Sequence, residues 1–242
     1  MKIVSRFVKA ILESDNEAGN IEKLLRSVDR GSRVLDVACG FGEKMRLLGR
    51  LGFRNLTGVE KNLATVMVAR ANGLDVRQVG ALDSKAKNEK FDLLVFSHII
   101  EHFSYEDLLR FLESYFAMAQ DGARVLIVTP LMSSFFYDDL DHVRPYPPPS
   151  GIDAVFSRRQ AQVQYRSRYQ LELNNLYFRR MPFRFVRYSR SDYLGRRDYP
   201  AIAVNILAAL VFRASFHFVG RTTGWAGVYT IRCADPENSP AV

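Results

Sequence analysis

The feature that most constrains the fold of this chain is a regular alternation between residues 33 and 130. Short apolar runs that read as β-strands alternate there with longer runs whose apolar residues recur at helical spacing. The strand-like runs are 33–38, 55–60, 74–80, 90–97 and 123–130, and the helical runs are 42–52, 62–73 and 105–122. Strands that alternate with helices form βαβ units, whose strands lie parallel in one sheet. The alternation therefore predicts an α/β fold whose ligands bind beyond the carboxyl ends of the strands.

The segments on either side of this alternation have less regular patterns. Residues 3–14 and 18–28 read as short amphipathic helices, and the proline-rich stretch after residue 130 reads as a long loop. The remaining segments are interpreted as a helix at 152–178, an edge strand at 183–189, a last strand at 227–233 and a frayed tail from Asp235.

Length and composition limit the class of protein. The 242 residues, 48% of them hydrophobic, are sufficient for one sizeable core. The first residues do not resemble a signal peptide, because Arg6 and Lys9 interrupt the apolar positions. The most apolar stretch, 201–212, is too short to span a membrane and is expected to be a buried helix or to lie at a membrane surface. Two cysteines, Cys39 and Cys233, do not suggest a disulfide framework. We therefore expect a cytoplasmic protein, at the inner face of the membrane if 201–212 contacts lipid.

The positive charge of the chain is concentrated in its C-terminal part. Residues 1–150 contain 20 basic and 20 acidic residues, whereas residues 151–242 contain 14 basic and 6 acidic ones, which accounts for the net charge of +8. The segment 158–197 has 11 arginines and no lysine, interleaved with five tyrosines. Such a segment is either a solvated basic surface or a patch that binds a phosphate-bearing substrate, a membrane surface or nucleic acid.

Residues with the chemistry of a nucleotide site follow three of the predicted strands. After the first strand, Gly40 and Gly42 allow a tight turn that a ligand can approach closely, just before a helix N-terminus. Glu60 ends the second strand, where an acid accepts hydrogen bonds from ribose hydroxyls, or else favours the start of the next helix. After the third strand, Asp83 suits an adenine amino group, beside backbone groups of Ala81 and Leu82, or is an ordinary loop residue.

The order of these motifs resembles the class I S-adenosylmethionine-dependent methyltransferases, of the type that acts on sugars and other small molecules. The stretches "VLDVACGFGEK", "LTGVEKN", "VGALDS", "FDLLVFSHIIEH" and "RVLIVTP" follow one another at the family's spacing over roughly residues 30–130. The resemblance implies a Rossmann-like, doubly wound sheet of seven mostly parallel strands, with helices on both faces and an antiparallel last strand. One departure is Ala38, where the family commonly has glycine. An NAD-binding fingerprint is not met, because residue 45 is methionine.

The resemblance also implies the cofactor, S-adenosyl-L-methionine, and the residues that hold it. Asp36 and the Gly40–Gly42 loop would hold the methionine part, Glu60 the ribose and Asp83 the adenine, while Ser97 and His98 would close over the site. The full set expected to bind the cofactor is Asp36, Ala38, Cys39, Gly40, Gly42, Glu60, Lys61, Ala81, Leu82, Asp83, Ser97 and His98. We expect one methyltransferase domain over 1–242, divided into N-terminal helices (1–30), a cofactor-binding core (31–130), an acceptor-binding or lid elaboration (131–226) and the last strand (227–234).

Three of the four histidines are expected near this site. His98 and His102 follow the fourth strand, His142 lies in the loop after the fifth, and the fourth histidine, His217, is taken to be structural. The first interpretation of Glu101, His102 and His142 is packing and hydrogen bonding. The second is general-base catalysis by His102 or His142. The third is a divalent metal ion held by all three. Two metal-using groups of relatives, the quinone-biosynthesis O-methyltransferases and the small-RNA 3′-terminal methyltransferases, carry Glu-x-x-Glu-His here, whereas this chain has His98 in place of the first glutamate.

The nature of the methyl acceptor is indicated only by charge and by one loop. "DHVRPY" resembles sequences in bacterial methyltransferases of sugars, lipids and other small molecules, in which Arg144 would steer an anionic group and Tyr146 would line a pocket; alternatively it is a proline-stiffened surface loop. We expect O-methylation of a sugar, glycan or other phosphorylated or lipid-linked molecule, with peripheral membrane contact or a homo-oligomer as further partners. The alternatives are RNA methylation, although the (Asn/Asp)-Pro-Pro-(Tyr/Phe) motif of base methyltransferases is missing, and a non-catalytic cofactor-binding or scaffold protein.

Overall fold

The structure is a computed structural model, which describes residues 14–80, 89–133, 136–147, 152, 156, 167–185 and 199–233. Its elements are α1 (Glu17–Leu24), β1 (Arg33–Val37), α2 (Glu43–Arg50), β2 (Asn55–Glu60), α3 (Leu63–Ala71), β3 (Val76–Gln78), β4 (Phe91–Ser97), α4 (Tyr105–Phe116), β5 (Ala119–Pro130), β6 (Tyr169–Met181), α5 (Tyr199–Ala214) and β7 (Arg221–Cys233). Short 3-10 turns, Ile100–His102 and Phe136–Asp138, follow β4 and β5.

The seven strands form one sheet in the order β3-β2-β1-β4-β5-β7-β6. Strands β1 to β5 are parallel to one another, and β7 pairs antiparallel with both β5 and β6. The chain builds outward from β1 to β3 and then crosses back to place β4 on the other side of β1. The strand order therefore reverses between β1 and β4, which is where open α/β sheets bind ligands. The predicted doubly wound, mostly parallel sheet of seven strands is confirmed.

Apolar side chains cover both faces of the sheet, and β4 shows why. Its residues are apolar almost throughout, and successive side chains of a strand point to opposite faces. Leu94 and Phe96 pack with one cluster, which includes Leu112 of α4. Leu93 and Val95 pack with the other, which includes residues of α1 and α2. Each such fully buried side chain contributes about 1.5–3 kcal/mol to folding.

Local sequence sets the helix starts at the carboxyl edge of the sheet. The Asn62 side chain accepts a hydrogen bond from the Ala64 N–H at 3.0 Å and so caps α3. Helix α2 begins after Gly42, whose φ of +80° is in the left-handed region. A Cβ at this position would also collide with the side chain of Leu74. Glycine is therefore required here both by the backbone and by packing.

The C-terminal part differs from its sequence-based prediction. Residues 169–181 form strand β6, so the helix predicted over 152–178 is wrong there. The edge strand predicted at 183–189 is also wrong in its described part, because 182–185 lie outside any strand. Strand β7 begins at Arg221, earlier than the predicted 227, and α4 ends at Phe116, after which β5 begins at Ala119.

The predicted helices at 201–212 and near the N-terminus can be compared with the structure. Within the described ranges, no helix is both long and apolar enough to cross a membrane. The apolar segment expected at 201–212 is indeed helical and belongs to the 16-residue helix α5. The first predicted helix, at 3–14, falls almost entirely outside the described residues, whereas the second corresponds to α1.

Candidate functional site

Loops from four parallel strands converge at the carboxyl edge of the sheet. Residues 38–42 follow β1, Glu60 ends β2, Ser97 ends β4 and is followed by His98, and the loop carrying His142 follows β5. The structure thus brings most of the predicted site residues to one edge. The predicted adenine-binding residues Ala81, Leu82 and Asp83 lie outside the described residues.

The glycine loop is held in a tight turn by backbone hydrogen bonds. The Cys39 N–H donates to the Val59 carbonyl at 3.0 Å, and the Gly42 N–H donates to the Cys39 carbonyl at 2.8 Å. Ala38, Gly40 and Gly42 all have positive φ, with Ala38 at +56°. A Cβ on Gly40 would meet nothing within 4 Å, so the loop leaves open space beside its backbone. This is the geometry that lets a ligand approach the main chain closely.

Cys39 contributes to this loop by packing. Its side chain is buried, and a Cβ on Gly58 of the next strand would come within 2.7 Å of its sulfur. Burial and the nearby carboxylates of Asp36 and Glu60 raise the pKa of the Cys39 thiol to about 12. The sulfur is therefore a neutral packing group rather than a nucleophile.

Asp36 is the polar group of the loop region that most needs a partner. Its side chain is buried near the end of β1, and Oδ2 has no hydrogen-bond partner among the described residues. Burial raises the pKa of this carboxyl to about 7, an effect that the Lys44 ammonium partly offsets. An orphaned buried carboxylate next to open backbone is what a cationic ligand would satisfy. The residues present therefore fit the positively charged methionine part of S-adenosylmethionine.

Glu60 joins the glycine loop to helix α3. Its carboxylate accepts hydrogen bonds from the Gly40 N–H at 3.1 Å and from the Asn62 N–H at 2.9 Å. Both interpretations of this acid are thus compatible with its position, because it stands beside the loop where a ribose would lie and it also stabilises the helix start. The neighbouring Lys61 is exposed.

His98 lies in a charged cluster that the sequence did not predict. Its Nε2 is 3.0 Å from Glu17 Oε2, and Arg179 Nη1 lies 3.2 Å from the same oxygen. Lys44 Nζ donates to Glu17 Oε1 at 2.6 Å. Burial would lower the pKa of His98, but the nearby carboxylates of Glu101 and Glu17 outweigh it and raise that pKa to about 8. Glu17 is largely buried, yet the same contacts hold its pKa far below the ordinary value. The cluster ties α1, α2 and β6 to the end of β4.

Glu101, His102 and His142 are brought together behind His98. One ligand atom from each lies within 4.8 Å of the others. The Glu101 side chain is fully buried; its Oε2 accepts a hydrogen bond from Thr129 Oγ1 at 3.0 Å. The other oxygen, Oε1, has no hydrogen-bond partner in the described part of the chain and lies 4.0 Å from His142 Nε2. His98 Nδ1 is 3.5 Å from this oxygen.

The two histidines of this cluster are oriented in the same way. His102 Nδ1 is 3.1 Å from the Asp141 carbonyl, and His142 Nδ1 is 2.6 Å from the Phe136 carbonyl. A carbonyl only accepts, so Nδ1 of each ring carries the hydrogen. Each neutral ring therefore presents Nε2 as an acceptor, for a proton or for a metal ion.

Among the residues that sequence reasoning missed, Thr129 could have been found, since it also lies at the carboxyl end of a strand.

The two predicted acceptor residues occupy different environments. Arg144 is exposed and lies over the Tyr146 ring at 5.5 Å. Tyr146 is buried in the core, where its hydroxyl donates to the Phe103 carbonyl at 3.0 Å and its carbonyl accepts from Trp225 Nε1 at 2.7 Å. Its ring thus anchors the loop after β5 onto the sheet rather than lining an open surface. His217 packs against Phe212, at 4.7 Å between ring centroids.

Comparison with known proteins gives one family and a large set of similar structures. A family model described as a methyltransferase domain matches residues 12–197. A search among curated proteins finds no match. Solved structures with this fold include a SAM-dependent methyltransferase from Archaeoglobus fulgidus, 18% identical, with 88% of this chain and 94% of that chain covered and a TM-score of 0.51.

Two further structures show how broadly the fold is used. The YcgJ protein of Bacillus subtilis is 16% identical over 90% of this chain and 98% of its own, with a TM-score of 0.56. The [4+2]-cyclase SpnF is 17% identical over 89% of this chain and 81% of its own, with a TM-score of 0.51. At such identities the likeness establishes the fold, and a cyclase among these structures means that the fold alone does not define the reaction.

Proposed function

The chain belongs to the S-adenosylmethionine-dependent methyltransferases, and from this premise we propose that it transfers the methyl group to a hydroxyl oxygen of a small molecule or glycan. When bound, the cofactor supplies an activated methyl group on a sulfonium. The protein then has to align the acceptor, exclude water and take up the hydroxyl proton. The residues of the carboxyl edge are suited to these tasks.

The observation that carries this proposal is the pair of imidazoles beside Glu101. Both rings donate Nδ1–H to a backbone carbonyl and leave Nε2 open. His142 Nε2 lies 4.0 Å from a buried carboxylate oxygen that lacks a hydrogen-bond partner among the described residues. A carboxylate this close to Nε2 stabilises the imidazolium that forms when this nitrogen accepts a proton. We assign the role of general base to His142, with His102 packed against it at 4.9 Å between ring centroids.

The class of acceptor follows from charge. Arg144 is exposed two residues after His142 in the loop that follows β5, and the C-terminal part carries the whole net positive charge of the chain. Arginine binds phosphate and carboxylate through two parallel hydrogen bonds. These features favour an anionic acceptor, such as a sugar phosphate or a glycan on a phosphorylated lipid.

The direct test replaces the two histidines in turn. Methyl transfer is followed by release of S-adenosylhomocysteine during a screen of hydroxyl-bearing acceptors. His142→Ala is expected to lower kcat by about 10²–10⁴-fold, because a positioned base contributes that much. His217→Ala is the matched control, since that ring packs against Phe212 of α5 and is not part of the Glu101 cluster. If His102→Ala and His142→Ala both retain near wild-type rates, neither imidazole takes part in the chemistry.

A divalent metal ion is the second role that the cluster supports. One carboxylate and two imidazoles suit ions such as Zn²⁺, Mn²⁺ or Co²⁺. The Nδ1–H of each ring already donates a hydrogen bond to a backbone carbonyl, as the second nitrogen of metal-ligating histidines usually does. A metal would polarise the acceptor hydroxyl. Titration with Co²⁺, followed by its visible absorption, should give saturable binding that Glu101→Gln abolishes. Activity unchanged by a chelator, together with no Co²⁺ spectrum, would exclude the metal and leave acid–base chemistry or packing, which the histidine variants distinguish.

Two other functions are distinguished by simple binding experiments. Calorimetry with S-adenosylmethionine separates an enzyme from a scaffold, because a folded chain that gives no heat of binding cannot be a methyltransferase. Methylation of RNA would require binding to short RNA that weakens steeply as salt increases. The absence of RNA binding at low salt would remove that alternative.

A further inference from the structure

Helix α5 and the segments around its C-terminal end present an apolar surface. We call this surface the apolar patch. It comprises Val204, Leu207, Leu210 and Val211 on α5, Phe216 and Phe218 in the following turn, and Phe183 and Phe185 after β6. Leu207 is 64% exposed and Phe216 is 92% exposed. Large apolar side chains grouped in this way on a surface mark an interaction site more often than scattered ones do.

The composition of α5 makes this exposure unusual. Its inner face is buried through Ala201, Asn205, Ala209 and Phe212. Its outer face is apolar as well, so the helix is hydrophobic nearly all round. Such a helix is normally buried on every side or lies in a membrane. The outer face of α5 therefore requires a second, apolar environment.

The tip of the apolar patch lies at the same edge of the sheet as the candidate site. Met181 of β6 pairs with Arg221 of β7, and Pro130 of β5 pairs with Gly224. The turn before β7 and the residues after β6 are therefore at the carboxyl edge. Two neighbouring arginines connect the two regions. Arg179 contacts Glu17 in the His98 cluster, whereas the Arg180 guanidinium lies 5.4 Å from the Phe218 ring centre and donates to the Phe218 carbonyl.

The charge around the apolar patch indicates what binds to it. The described residues that carry the apolar patch and its flanks, 180–185 and 199–221, contain four arginines (Arg180, Arg184, Arg213 and Arg221) and neither aspartate nor glutamate. We propose that the apolar patch docks on an anionic membrane surface, with its phenylalanines and leucines entering the headgroup region and the arginines pairing with lipid phosphates. A second copy of the chain is a poorer occupant, because it would bring arginines against arginines. With 16 residues, α5 lies below the ~20 that a span requires, so it would rest in the plane of the interface.

Docking in this way would turn the carboxyl edge toward the lipid headgroups. An acceptor attached to a lipid phosphate would then be presented directly to the loops that carry His142 and Arg144. This consequence rests on the proposed function, whereas membrane binding itself does not. The two are tested separately, because vesicle binding requires neither cofactor nor acceptor.

The test is flotation with large unilamellar vesicles of phosphatidylcholine, with or without 30% phosphatidylglycerol, at about 50 and 500 mM salt. We expect binding to the anionic vesicles at least tenfold stronger than to the neutral ones, and weakened by salt. Leu207→Glu is expected to reduce this binding at least tenfold. Met67→Glu is the matched control, because Met67 is equally exposed, at 64%, but lies on α3 at the other end of the sheet. Phe218→Ser provides a second patch variant, and circular dichroism verifies that all variants fold.

Each outcome decides the question. Wild-type protein that stays with buffer rather than with anionic vesicles at low salt overturns the proposal, and so does a Leu207→Glu variant that floats like the wild type. Sedimentation equilibrium tests the alternative that a second copy of the chain covers the apolar patch. A wild-type dimer that Leu207→Glu dissociates, without vesicle binding, would assign the apolar patch to a second copy. Equal binding to neutral and anionic vesicles would refute the role of the arginines.

Discussion

At the scale of single residues, the most informative position is Ala38. It stands where the family commonly has glycine, and the structure gives it φ of +56°, a conformation that glycine adopts freely and alanine does not. The neighbouring Gly40 and Gly42 are left-handed too, so three of five consecutive residues share this conformation. The loop keeps its shape with one strained residue, and the strain is supported by the hydrogen bonds to Val59 and within the turn.

Ala38→Gly is therefore expected to stabilise the protein. The left-handed conformation costs an alanine about 1–2 kcal/mol, and glycine avoids this cost. Part of the gain is lost, because glycine gives the unfolded chain more conformational freedom. We expect a net gain of about 0.5–1 kcal/mol, or a rise in Tm of about 2 °C, in thermal unfolding. Ala203→Gly, in the exposed interior of α5, should change Tm in the opposite direction. A lower Tm for Ala38→Gly would show that the loop is not strained.

The buried carboxyl of Asp36 makes both stability and cofactor binding depend on pH. Burial raises its folded-state pKa to about 7, from an ordinary value of 3.8. Between these values the folded protein keeps a proton that the unfolded chain releases, so stability should fall as pH rises from about 4 to 7 and then level off. Affinity for S-adenosylmethionine should rise as pH passes through 7, because only the ionised carboxylate attracts the cationic ligand.

Asp36→Asn is expected to remove both trends. Thermal unfolding and calorimetric titration over pH 4–8 measure them, and Asp121→Asn, an exposed site on β5, serves as the control. Cofactor affinity that rises with pH equally in wild type and Asp36→Asn would assign the dependence to another group.

The sequence predicted the position of much of the candidate site at this scale because strand ends are local features. Glu60, Ser97 and His98 each follow an apolar run, and that run identifies the strand. Glu17 could not be found in this way. It contacts His98 only because α1 packs over the sheet, 81 positions earlier in the chain. Contacts that depend on tertiary packing leave no periodic signal in the sequence.

At the scale of elements, β6 explains where the prediction failed. Tyr169, Leu171 and Leu173 alternate in the manner of a strand, but the pairing with β7 shifts register between Leu173 and Asn175. Beyond this bulge the apolar residues fall at Leu176 and Phe178, so the period of two is broken. An interrupted alternation of this kind is easily taken for helical spacing. The parallel half has no such break between its apolar runs, apart from an irregularity near the start of β5, and was predicted closely.

Helix α1 should be held in place mainly by the cluster around Glu17. Its carboxylate contacts Lys44, His98 and Arg179, and Glu17→Gln would leave these cations without their common partner. Breaking a buried ion pair typically costs about 3–5 kcal/mol. We therefore expect a Tm lower by several degrees. Glu22→Gln, on the exposed side of the same helix, should be nearly neutral. Equal Tm values for the two variants would mean that the cluster contributes little.

At the scale of the whole molecule, the sheet is centred on β1 and β4. These strands are buried on both faces, whereas β3 has three residues and pairs only with β2. Hydrogen exchange should therefore be slowest for the amides of β1 and β4, at the free energy of global unfolding. The amides of β3 should exchange faster, through local opening. Similar protection factors for β3 and β4 would show that the sheet opens only as one unit.

The place of β7 in the sheet has a consequence for synthesis on the ribosome. Strand β5 is complete at Pro130, yet the strand that covers its outer edge does not begin until Arg221. Strand β6 is made in the interval and pairs with β7 alone. At about 5–20 residues per second, the nascent chain spends roughly 5–20 s with β5 unpaired on one side and β6 without its partner. Throughout that interval the growing protein exposes an apolar edge that chaperones are suited to cover.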